Sequence, residues 1–149
     1  MSHVDEMKLE MWDEEALKTA ALARGLEIRE KQTYNWWGTH VGDHPLPEGM
    51  TKEDLGKCHF VLGVPGQPSA YEVGVVRDNG RLRLLWDYYG DERENSPSHE
   101  MVRLIGGRDG SGLKMEYTAQ VQEKEAIRNG YRVTRGTNEA GEIVLRMRS

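Results

Sequence analysis

Four tryptophans and six tyrosines against a single phenylalanine decide what chemistry this chain could offer. Trp and Tyr join a large apolar area to a polar tip, and at loop ends that combination suits ligand or partner surfaces. Trp36 and Trp37 lie among glycines, while Trp86, Tyr88 and Tyr89 close a strand-like run just before Gly90. Adjacent residues of an extended segment point to opposite sides, so both indoles cannot enter one core without a turn between them. At least one is therefore expected to stay exposed. Gly38 permits a reversal that would set it beside Trp86-Asp87-Tyr88-Tyr89, with His40 at the rim of an aromatic patch. Core packing competes with this reading most strongly at Trp86, which continues the face of Leu82 and Leu84.

A second constellation is basic. Arg83 shares a strand face with Arg81, Leu85, Asp87 and Tyr89, Arg132 and Arg146 fall opposite the apolar sides of their strands, and a sheet face carrying the three beside an aromatic could hold a nucleotide or RNA. Glu27, Glu72 and Glu142 are expected on the same solvent face, where cross-strand ion pairs would occupy the arginines instead. His40 and His44 have the spacing of one helical face, and Cys58 and His59 follow. Gly42 and Pro45 disfavour that helix, so no metal is expected and solvated loop histidines are the better reading. Gly106–Lys114 looks like a phosphate loop, but Leu113 breaks the Gly-Lys-Ser/Thr order and a flexible linker fits better. With no G-x-S-x-G and no outstanding carboxylate pair, the balance moves from catalysis toward binding, and no cofactor is expected.

The elements that must position these residues follow from periodicity. Met7, Leu9 and Met11 alternate as a strand. Asp13 can cap a helix with Ala16, Leu17, Ala20 and Ala21 on its buried face and Gly25 at its end. Leu26 and Ile28 pattern a second strand. Three more cover His59–Val64, Tyr71–Arg77 and Arg81–Tyr89, the last two joined at Asp78-Asn79-Gly80. A helix at about 113–129, with Leu113, Tyr117, Val121 and Ile127 on one face, leads to two final strands. The order β-α-β, β-β-β, α-β-β predicts one α+β domain over 1–149, a mainly antiparallel sheet with two helices on one face. Long loops are expected at 34–57 and 90–112. Residues 21–28 and 126–133 share one pattern, helix end, glycine, strand, which raises an internal pseudo-repeat.

Bulk properties bound the function. The chain has 149 residues, a net charge of −5 and a mean hydropathy of −0.74. The acidic balance argues against double-stranded DNA and anionic membranes as partners. One cysteine, no apolar run of membrane-spanning length and no secretion signal at Met1–Glu6 predict a cytoplasmic location, host cytoplasm if the protein is viral.

Tyr71-Glu72-Val73-Gly74-Val75, Leu85-Trp86-Asp87-Tyr88-Tyr89-Gly90, the Met1-Ser2-His3 start and the run from Tyr117 through Gly130-Tyr131 to Ile143-Val144-Leu145 are similar to one family. It is the uncharacterised family first noted as a hypothetical chloroplast reading frame, with relatives in cyanobacteria, other bacteria and tailed phages. The longer segments around Trp36-Trp37 and 91–112 resemble the phage forms. The resemblance implies no established activity, and the bacterial relatives' neighbouring AAA-type ATPase genes imply a partner or adaptor role. The function expected is a non-enzymatic binding or regulatory protein, phage-encoded and acting on a host macromolecule. A nucleotide-binding protein stands second, and a small hydrolase using the His40/His44 loop third.

Overall fold

Alternating apolar residues build the centre of the molecule. The computed structural model describes residues 4–6 by their backbone and residues 11–38 and 45–149 in full. Five strands form one antiparallel sheet: β1 (Val4–Glu6), β2 (Glu27–Arg29), β3 (Phe60–Gly63), β4 (Val73–Asp78) and β5 (Arg81–Asp87). Their order is β1-β5-β4-β3-β2. Asn79 and Gly80 join β4 to β5 with φ of 52° and 80°, the positive pair whose twist matches the flanking strands. Phe60, Leu62, Val73, Val75, Leu82, Leu84 and Trp86 point to one face and are buried in the larger core, while Val61 and Leu85 point to the other.

Helices cover the first face. In α1 (Glu14–Ala23) the Asp13 side chain accepts the Ala16 N–H at 3.0 Å, and Ala16, Leu17, Ala20 and Ala21 are buried. The helix α3 (Ser111–Arg128) sends Leu113 and Tyr117 into the same core, and the Tyr117 hydroxyl accepts the N–H groups of Trp12 and Asp13 at 3.1 and 3.2 Å. Ile127, expected on the buried face, is 63% exposed, and Ala126 is buried in its stead. A further helix, α2 (His99–Ile105), lies in the segment expected to be a loop and adds Met101, Val102 and Ile105 to the core. The glycines after it serve close packing. A Cβ on Gly112 would meet the Arg24 guanidinium at 2.7 Å, and Arg24 also donates to the Leu104 carbonyl. Among the described residues no helix is long and apolar enough to cross a membrane.

The last strands, β6 (Arg132–Thr137) and β7 (Ile143–Arg148), pair with each other as a separate two-stranded sheet among the described residues. Gly25 and Gly130 share a φ of 87°, and the following N–H groups of Leu26 and Tyr131 bond back to Ala21 and Ala126 at 3.0 Å. The likeness between the two segments is thus a shared helix cap. Beyond it the chains diverge, since β2 enters the sheet and β6 forms a separate hairpin.

Candidate functional site

The second face of the sheet is covered by the excursion that begins at Tyr34. Tyr34, Leu55 and Cys58 pack on Val61 and Leu85, and Trp36 joins them partly buried, its ring 6.3 Å from that of Tyr34. Gly74 lets Tyr34 reach the sheet, because a Cβ there would overlap the phenol ring.

Two fully buried carboxylates fix this segment. Glu72 accepts the Asn35 N–H at 2.8 Å and Lys31 Nζ at 2.7 Å on Oε1, and Arg29 Nη1 at 2.6 Å on Oε2. Asp87, at the end of β5, accepts the Trp37 N–H at 3.1 Å on Oδ2 and the Tyr89 N–H at 3.0 Å on Oδ1. The second bond is the side-chain turn that Asp favours two residues before the donor. A buried charge is tolerable only when hydrogen bonds replace its water; backbone N–H groups do this at Asp87, and at Glu72 the Asn35 N–H does it together with the Lys31 and Arg29 cations. Sequence reasoning placed Glu72 on a solvent face with Glu142. The excursion instead buries Glu72, and Glu142 stands at the hairpin turn, accepting from Asn138.

Between these anchors the two indoles separate. Trp36 turns to the sheet, while Trp37 is 49% exposed and meets Tyr89, 39% exposed, with ring centroids 6.4 Å apart at 60°. Asp87 thus holds the backbone of both residues of an exposed edge-to-face pair. Gly38 follows at φ 85°.

The other expected residues are placed differently. Trp86 is buried on the opposite face, its Nε1 donating to the Arg108 carbonyl at 3.0 Å, and so is not part of the patch. Tyr88 packs against that core with the Arg108 guanidinium 5.0 Å from its ring centroid. Arg83 is buried beneath the excursion, and its Nη2 donates to the Glu48 carbonyl at 2.7 Å. Arg132 and Arg146 are exposed on the separate hairpin, so the three arginines share no face. The reason is topological: β6 turns back on β7 instead of joining the sheet. His40 and His44 lie outside the described residues. The Asp87 and Glu72 anchors were missed, although an Asp two residues before a tyrosine at a strand end carries the signal of a side-chain turn.

On the covered face, burial favours the neutral form of one thiol and one phenol. Burial pushes the Cys58 thiol up to about 11 and the Tyr34 phenol up to about 12. Cys58 is therefore a protonated thiol at neutral pH, unsuited to nucleophilic attack. Among the described residues no three His, Cys, Asp or Glu side chains gather as a metal site. No protein-family model matches this chain, and no curated protein or solved structure proved significantly similar to it.

Proposed function

We propose that this protein is a non-enzymatic binding module that holds a protein partner through the Trp37–Tyr89 corner. One observation carries the reading: a single buried carboxylate, Asp87, grips the backbone N–H of both exposed aromatics. Association costs less when the contacting groups are already ordered, and exposed Trp and Tyr are the residues that most often anchor interfaces. Affinity capture with the wild-type protein, Trp37→Ala and Tyr89→Ala tests it. A partner retained by wild type and lost by both variants, at unchanged melting temperature, supports the corner. Equal recovery by all three would sink it.

A second reading is a small anionic ligand such as a nucleotide. It is favoured by a cleft of about 370 Å³ on the second face, where Arg83, Lys57 and His59 stand beside Met50 and Val76. Occupancy at one hundred times Kd would add about 2.7 kcal/mol of stability, which a thermal-shift panel of nucleotides reads directly.

A further inference from the structure

The β6–β7 hairpin separates charge within an acidic chain. Residues 130–149 hold four arginines and two glutamates, +2 in a protein of net −5, which leaves −7 for the rest. Arg135 is on the inner face and is spent on α3, donating to Glu116 at 2.6 Å and to Glu123 at 3.0 Å. Ile143, Leu145 and Met147 share that face and line the cleft against α3. Alternation then puts Arg132, Thr134, Arg146 and Arg148 on the outer face. All four are exposed, and none of the three arginines has a carboxylate within ion-pair distance among the described residues.

The register sharpens the point. Arg132 lies directly opposite Arg148, and Thr134 opposite Arg146. Like charges facing across a strand pair destabilise it, so this arrangement is a cost to the isolated fold. Among the described residues the face is open at Gly136, the next position along it, where a Cβ would meet no atom within 4 Å. No aromatic side chain lies on it, so it offers no stacking platform of the kind that holds single strands. Its shape is a two-stranded ribbon about 20 Å long, from six residues per strand, backed by α3 on its inner face alone. The major groove of B-DNA, about 12 Å wide, admits such a ribbon, whereas the narrow major groove of duplex RNA does not.

From charge complementarity and shape together we infer that the outer face of this hairpin is a contact surface for duplex DNA, with Arg132, Arg146 and Arg148 meeting its phosphates. This revises the expectation drawn from net charge, because the acidic surplus lies in the rest of the chain. The inference does not rest on the Trp37–Tyr89 corner.

Fluorescence anisotropy with a labelled 20-base-pair DNA duplex, the same single strand and the matching RNA duplex decides it. Three neutralised phosphates predict a log–log salt slope of about −2.7, or about 40-fold weaker binding between 50 and 200 mM salt. Arg146→Gln should reduce the slope by about 0.9, and Arg132→Gln/Arg146→Gln/Arg148→Gln should abolish binding. Melting temperature should stay level or rise in the triple variant, since it removes the facing Arg132–Arg148 pair. The inference is overturned by no duplex binding at 50 mM salt, by binding that survives the triple variant, or by equal or tighter binding of the single strand or RNA duplex.

Discussion

Asp87→Ala removes one side chain and two structural links at once. The Trp37 and Tyr89 N–H groups would lose an acceptor 3.1 and 3.0 Å away. A hydrogen bond to a charged group contributes roughly 1.5–3 kcal/mol, and a partly buried N–H left unpaired costs on the order of 1 kcal/mol or more. The two bonds together predict a loss of about 3–5 kcal/mol, a large fraction of the roughly 5–15 kcal/mol that holds a domain of this size. Asp87→Asn separates geometry from charge. The amide keeps one acceptor oxygen and turns a second donor toward the other N–H, so about half of that loss, near 2 kcal/mol, should remain. Urea denaturation gives both values, and amide hydrogen exchange locates them: protection should fall first at Trp37 and Tyr89. An Asp87→Asn protein within about 0.5 kcal/mol of wild type, the scatter of neutral surface changes, with both amides still protected, would show that the corner is held by something else.

Three further outcomes follow from the same geometry. Gly74→Ala would drive a methyl into the Tyr34 ring and should cost about 1–3 kcal/mol by overpacking, read by thermal melting; Gly130→Ala, with open space around it, should be limited to the strain of its φ of 87°. Arg135→Ala would leave the buried Glu116 carboxylate without its partner at 2.6 Å, at a cost of about 3 kcal/mol, with exchange protection lost in β6 and β7 before the main sheet. Stability should fall in alkali. Cys58 and Tyr34 are neutral in the fold, with values raised from 9.0 to about 11 and from 10.0 to about 12, so their contribution is complete below pH 9 and is lost as pH rises toward 12. Tyr34→Phe should flatten that decline, and because among the described residues the buried Tyr34 hydroxyl makes no hydrogen bond of good geometry, it should not lower stability at pH 7.

The sequence spoke most clearly where the signal was local. Asp13, the Ala16-Leu17-Ala20-Ala21 face and Gly25 mark α1 within a few positions, and Asn79-Gly80 marks the β4–β5 hairpin, because caps and turns are decided by neighbours in the chain. The helix α2 was hidden by its setting: seven residues between polar, glycine-rich flanks give too little periodicity, although Met101, Val102 and Ile105 already had helical spacing. Faces and partners were less legible. Alternation along β5 separates Leu82, Leu84 and Trp86 from Arg83, Leu85 and Asp87, but it cannot say that a distant segment will cover the second set. That depends on pairings such as Arg29 with Glu72, 43 residues apart. Alternation marks both strands of the hairpin, but their place on α3, where Arg135 meets Glu116 and Glu123, is not encoded in any strand pattern.

The same asymmetry explains why the aromatic corner was half visible. Adjacency alone forces Trp36 and Trp37 apart, so an exposed indole could be expected. Its rigidity could not, because that comes from Asp87, which reads as a polar strand end until its burial is known. A carboxylate with no solvent must be bonded by the protein on both oxygens, and where the donor is a backbone N–H the bond fixes that stretch of chain. At Glu72 the fixed backbone donors include Asn35, and at Asp87 they include Trp37 and Tyr89. The four residues Tyr34 to Trp37 are therefore clamped near both ends, with the odd side chain sent outward at the last one. An exposed aromatic on a clamped backbone has little entropy left to lose when something packs against it, and that separates Trp37 from Trp12, which is more exposed but among the described residues has no such carboxylate holding a neighbouring ring.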